Sequence, residues 1–156
     1  MRRLALLCSA FCLLACAKTE NANPDSVAAA AAAAAMPAPI TLAEVAGTWT
    51  VRVMPETGDS TLLTYELTAT ADTSGWSIKM PDRAKPVPVS MIRTDADSLM
   101  TAAGPYPSAL RKGTKVTTES VVRLQDGKLV GRSIAHYSVK TADSVRVVRT
   151  EGTRKP

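Results

Sequence analysis

From Trp49 to the C-terminus the chain keeps a two-residue rhythm. Trp49, Val51 and Val53 alternate with Thr50 and Arg52; Leu63, Tyr65, Leu67 and Ala69 alternate with Thr64, Glu66 and Thr68; Trp76, Ile78 and Met80 alternate with Ser77 and Lys79. Val87, Val89 and Met91 follow, then a turn at Asp95-Ala96-Asp97 and a strand near Ser98 to Ala103. Val116, Thr118, Ser120, Val122 and Leu124 lead into Asp126-Gly127, the chain returns along Leu129 to Val139, and a turn beginning at Asp143 opens Val145 to Arg154. Successive strand residues point to opposite faces, so each run has one apolar face. Asp-Gly between two such runs is the strongest hairpin signal in the chain. The pattern predicts an all-β domain, an antiparallel up-and-down meander of about eight strands. A meander this long curls and can close, which removes exposed edges, and an eight-stranded barrel has room for side chains or one small ligand. An open or sandwiched sheet with a filled core is the alternative.

The residues ahead of the strands have a different texture. Thr41-Leu42-Ala43-Glu44 fits a capping box, which predicts one helical turn over Thr41 to Ala46, ended by Gly47. Residues 17–40 contain eight successive alanines, Ala28 to Ala35, followed by Pro37 and Pro39. Nothing there can build a core. Alanine favours helix, but an isolated helix this short is marginal in water, so the segment reads as a spacer. At the start, Arg2 and Arg3 precede an apolar stretch, Leu4 to Leu14, broken only by Ser9. It is too short to span a bilayer and has the dimensions of a signal-peptide core.

Leu13-Leu14-Ala15-Cys16 resembles the bacterial lipobox. The resemblance implies diacylglycerol transfer to the Cys16 thiol, cleavage before Cys16 and acylation of the new amino group. Two or more acyl chains make a persistent anchor where one holds only marginally. The expected organisation is a signal peptide over 1–15, a lipidated Cys16 and Ala/Pro-rich linker over 16–40, and a barrel over 41–156. Ala17 and Lys18 follow Cys16, and neither is the aspartate that resembles an inner-membrane retention signal. The expected address is therefore the cell envelope, the periplasmic face of an outer membrane ahead of the inner membrane.

Gly47-Thr48-Trp49, after one helical turn and opening the first strand, resembles the lipocalins and their calycin relatives. The resemblance covers strand number and order over 41–156 and implies that an arginine from the last strand packs over Trp49 and closes the barrel's base. Arg149 and Arg154 are the candidates. A guanidinium over an indole is worth about 0.5–2 kcal/mol.

Composition narrows the chemistry. All three cysteines, Cys8, Cys12 and Cys16, lie at the start, so the domain has no thiolate metal site, catalytic thiol or internal disulfide. Formal net charge is +5, to which Arg2 and Arg3 contribute, and the rest is interleaved. The one dense basic stretch, Arg111, Lys112 and Lys115 around Gly113, reads as a loop, so nucleic acid is not an expected partner. His136 is the sole histidine and cannot build a histidine-based metal site. Asp95 and Asp97 read as a turn rather than a calcium loop, and Glu66 and Glu119 as outward-facing charges. No serine sits in Gly-x-Ser-x-Gly. No cofactor, metal or catalytic set is expected, and the protein reads as a non-enzyme.

Two aromatics of alternating runs, Trp76 and Tyr137, are candidates for a ligand-lining wall, with Tyr65 beside them. Gly104-Pro105-Tyr106-Pro107 lacks strand periodicity and reads as a rigid loop that presents Tyr106 at a barrel mouth. Three functions from different classes come into question: a lipid-anchored barrel holding a small apolar or amphipathic ligand first, a filled barrel docking an envelope partner second, and a hydrolase or other enzyme last, since no catalytic set is visible.

Overall fold

A computed structural model describes residues 38–156. The expectations for the signal peptide, Cys16 and the alanine run fall on residues 1–37 and lie outside the described residues.

Thr41 starts a short helix, α1 (Leu42–Val45), and the capping box is complete. The Thr41 hydroxyl accepts the Glu44 amide at 3.3 Å, and the Glu44 carboxylate accepts the Thr41 amide at 2.9 Å. These bonds satisfy donors that a helix start otherwise leaves open. The turn ends one residue earlier than expected, at an extended Ala46, and Gly47 already belongs to the first strand.

Eight strands follow: β1 (Gly47–Pro55), β2 (Leu63–Ala69), β3 (Ser77–Lys79), β4 (Val87–Asp95), β5 (Ser98–Pro107), β6 (Lys115–Gln125), β7 (Lys128–Tyr137) and β8 (Val145–Arg154). Each pairs antiparallel with its predecessor, and β8 pairs with β1, which closes the barrel. The closing register sets Trp49 opposite Arg154 and Pro55 opposite Val148. The alternation read from the sequence is the inside–outside alternation of the wall: Val51, Leu67, Ile78, Leu99, Val116 and Leu129 are all buried in one core. The β6–β7 turn has Asp126 and Gly127 both at positive φ, 49° and 74°, the signature of a two-residue hairpin.

The antiparallel order gives the barrel two distinct ends. One carries α1, the start of β1, the end of β8 and the turns β2–β3, β4–β5 and β6–β7. The chain enters at this end, where the Ile40 amide bonds the Ala96 carbonyl at 2.9 Å. The other end carries the connections β1–β2, β3–β4, β5–β6 and β7–β8.

The structure corrects one element. Gly104 to Pro107 is not a loop but the end of β5, with Tyr106 opposite Val116 and Pro107 opposite Lys115. The register slips between Ala103 and Tyr106, and this bulge breaks the alternation that would have revealed the strand. Prolines are tolerated there because β4 pairs with β5 only as far as Ala103, so that edge has no ladder to interrupt.

Candidate functional site

The base of the barrel is sealed by side chains from its two chain ends. Trp49 is completely buried, and its indole N–H donates to the Val45 carbonyl at 2.8 Å. The Arg154 guanidinium lies 4.3 Å from the Trp49 ring centroid. Its two terminal nitrogens donate to the carbonyls of Ala46 and Glu44, so it also caps the helix. Gly47 makes room for this: a Cβ there would stand 2.6 Å from Arg154 Nη1. Its φ of 136° is one that side-chain-bearing residues rarely adopt. Arg149 does something else. It reaches from the outer face of β8 to the β1–β2 connection, with Nε donating to the Pro55 carbonyl at 3.2 Å and Nη2 to Asp59 at 2.8 Å.

Above this base lies an interior cavity of about 90 Å³. Val51, Leu67 and Leu99 border it toward the base, and Tyr106, Ser108 and Leu110 toward the far end. All three tyrosines of the chain, Tyr65, Tyr106 and Tyr137, are on its wall, and no charged side chain is. Trp76 is not on the wall. It is buried at the base, where its indole N–H donates to the carbonyls of Asp72 (2.7 Å) and Thr70 (3.2 Å) and braces the β2–β3 turn.

Among the apolar positions runs a row of hydroxyls. Thr101 of β5 stands opposite Ser120 of β6, which stands opposite Ser133 of β7, and all three line the cavity. Thr118 and Thr150 extend the row. Ser120 and Ser133 bond each other at 2.7 Å, and the Tyr106 hydroxyl bonds Thr118 at 3.3 Å. The Thr150 Oγ1 is buried without a partner. Burial pushes the Tyr65 phenol well above the ordinary tyrosine range, helped by the neighbouring Tyr106 phenol. Burial also raises Tyr106, against the pull of its Thr118 hydrogen bond and of Arg83. Both phenols therefore stay neutral donors across the physiological range.

The β5–β6 connection lies over part of the far end. Ala109 and Leu110 of the β5–β6 connection sit against the cavity. The Ser108 hydroxyl holds that turn by accepting the amides of Leu110 (3.1 Å) and Arg111 (3.0 Å). Arg111 crosses to Asp143 at 2.9 Å and lies 5.6 Å from the Tyr137 ring centroid. Arg83 stands 5.8 Å from the Tyr106 ring centroid and donates to the Pro107 carbonyl.

The remaining candidates sit on the outside. His136, Ile134 and Ser138 are exposed, with Ala135 and Tyr137 buried between them. Glu66 pairs with Lys155 at 2.6 Å, and Asp97 with Arg123 at 2.9 Å. Glu119 and Asp95 are exposed. Among the described residues no three acidic, histidine or cysteine side chains gather to hold a metal. The hydroxyl row is the feature the sequence reading did not single out. Its signal was phase: Thr118 and Ser120 fall in step with Val116 and Val122.

Comparison of the chain with family models, with curated proteins and with solved structures gives no match.

Proposed function

We propose that this protein is a non-enzymatic, lipid-anchored envelope protein whose barrel holds a small apolar or amphipathic molecule. The observation that carries the reading is the uncharged cavity on whose wall all the tyrosines of the chain lie. Apolar walls with a few convergent polar groups are the usual make-up of a small-molecule site. Burial of apolar surface supplies the affinity, and the hydroxyls set the orientation. The lipobox-like Leu13-Leu14-Ala15-Cys16 supports the anchor, and the Gly47-Thr48-Trp49 start with Arg154 over the indole supports a lipocalin-like kinship.

The cavity's size favours a second reading. About 90 Å³ is small beside the roughly 300–1,000 Å³ of ordinary ligand pockets. A nearly filled barrel would act through its outer surface, where Val121, Ile134 and Val145 are exposed. Native mass spectrometry of the full chain, released gently from its host, separates the two. A bound small molecule at stoichiometric occupancy is expected. A bare protein mass, with no thermal shift across a panel of small metabolites, would transfer the function to the surface. Cys16→Ser tests the anchor: the variant should leave the membrane fraction, and its retention there would remove the lipid from the proposal.

A further inference from the structure

We propose that the guest of the cavity is a small, uncharged molecule carrying a hydrogen-bond acceptor, such as a ketone or ester carbonyl, received by the hydroxyls of Thr150 and Tyr65. The inference rests on the ligand-holding reading above and adds the chemistry of the ligand.

The argument is one of elimination along the wall. A charged guest would surrender its hydration and meet no countercharge, because no ionic side chain lines the cavity. A purely apolar guest would leave the polar groups as they stand. Of these, Ser120 and Ser133 satisfy each other, and Tyr106 is bonded to Thr118. Ser108 already accepts two amides, and of the other wall hydroxyls, Thr101, Tyr137, Tyr65 and Thr150, the last is the one fully buried without a partner, with Tyr65 the second donor. Thr150 is only 4% exposed, and its Oγ1 has no partner. The Tyr65 hydroxyl bonds no described residue, and Tyr65 is half-buried on the cavity wall.

Buried polar groups without partners are rare in folded proteins, and each unpaired one is a standing penalty. Both groups here are donors at neutral pH. An acceptor-only guest relieves them and brings no proton that needs its own partner. A threonine hydroxyl turns about a single side-chain torsion, so Thr150 adjusts to a guest without moving β8. The volume sets the size. About 90 Å³ is roughly three times a water molecule's share of the liquid and less than the ~150 Å³ apolar cavity that accepts benzene, so the guest has only a few heavy atoms.

The test uses two four-heavy-atom compounds of matched shape, acetone carrying a ¹³C-labelled carbonyl and isobutene, titrated into the purified full chain and into Thr150→Val and Tyr65→Phe. Both should bind the wild type, and the labelled carbonyl resonance should move in the direction of a hydrogen-bonded carbonyl. Each variant should weaken acetone about five-fold, the loss of one ordinary hydrogen bond, and leave isobutene within about two-fold. Thr150→Val should show no drop in its urea midpoint, because the methyl replaces a hydroxyl that had no partner. A merely structural threonine would not lose ketone affinity at unchanged stability, so this variant decides even where Tyr65→Phe folds poorly. Isobutene binding with acetone unaffected by either variant would overturn the inference and leave the ligand-holding reading in place. Exclusion of both compounds would overturn both.

Discussion

Truncating Trp49 to alanine should remove most of the protein's stability, because three separate contributions meet at that ring. The indole is fully buried, and large-to-alanine truncations of such aromatics cost about 3–5 kcal/mol in lost transfer and residual cavity. The same change strands the Val45 carbonyl, which accepts the indole N–H at 2.8 Å; a buried acceptor left unpaired costs about 1–3 kcal/mol. It also takes away the face under Arg154, worth about 0.5–1 kcal/mol for a cation as exposed as this one. A domain of this size has about 5–15 kcal/mol to lose. Trp49→Ala should therefore unfold at a small fraction of the wild-type urea concentration. Trp76, braced in the β2–β3 turn, remains as the fluorescent reporter. A double-mutant cycle isolates the cation: Trp49→Phe and Arg154→Met, singly and together, should show a coupling near 0.5–1 kcal/mol. Arg154→Met alone should cost more than that coupling, since it also uncaps the carbonyls of Ala46 and Glu44. A loss below about 1 kcal/mol for Trp49→Ala would refute the view that this ring seals the base.

Alkali should destabilise the barrel. Unfolded tyrosine titrates near pH 10, whereas burial raises Tyr65 and Tyr106 in the folded state, so only the unfolded chain sheds these protons. Their contribution is complete below about pH 10 and is lost as pH rises toward the folded values, by at most about 1.4 kcal/mol per pH unit for each. Urea unfolding from pH 9 to 11.5 reads the slope; Tyr65→Phe should lessen it, and a flat wild-type profile would contradict the burial. Gly131→Ala should cost at least about 2 kcal/mol, because its Cβ would stand 2.0 Å from the Val121 carbonyl oxygen, on backbone that cannot step aside. Gly152→Ala should cost less under the same urea assay, since its nearest neighbours are the side chains of Leu129 (3.1 Å) and Val51 (3.5 Å). Hydrogen exchange should be fastest at β3 and the start of β4 and slowest along β6–β7, and uniform protection around the barrel would count against the uneven pairing.

Most of the strand pattern was legible because each wall position is either inside or outside, and period-two alternation reports that directly. The capping box and Asp126-Gly127 were legible for a similar reason: their bonds are local. The failures share the opposite character. Gly104 to Pro107 belongs to β5, but a bulge shifts its phase and its prolines are permitted only by where β4 stops pairing. Trp76 is in step with Ile78, yet its indole turns to the carbonyls of Thr70 and Asp72, a choice made by the shape of the turn. Arg149 and Arg154 are both on β8, and only the closing register decides that Arg154, opposite Trp49, is the one over the ring. The hydroxyls of Thr101, Ser120 and Ser133 were visible one at a time, but their alignment across three strands is a property of register.

Register also says where this barrel is strong and where it yields. Joining the first strand to the last is entropically the most demanding pairing, because nearly the whole domain lies between them. Yet β1 and β8 pair continuously from Trp49 to Pro55, and Arg154 adds its bonds to the far side of that seam. The weak joint lies elsewhere. Ser77 opposite Pro88 and Ile78 opposite Val87 are the whole of the β3–β4 pairing, and β3 meets β2 only over Ser77 to Lys79. Ile78 and Met80 of this thin stretch line the cavity. Beside them Arg83 bonds the Pro107 carbonyl across the far end, with its Nε 3.8 Å from the Asp82 carboxylate. Parting β3 from β4 therefore breaks few ladder bonds. Local opening of the wall costs least there, at the side of the barrel, while the base stays sealed by Trp49.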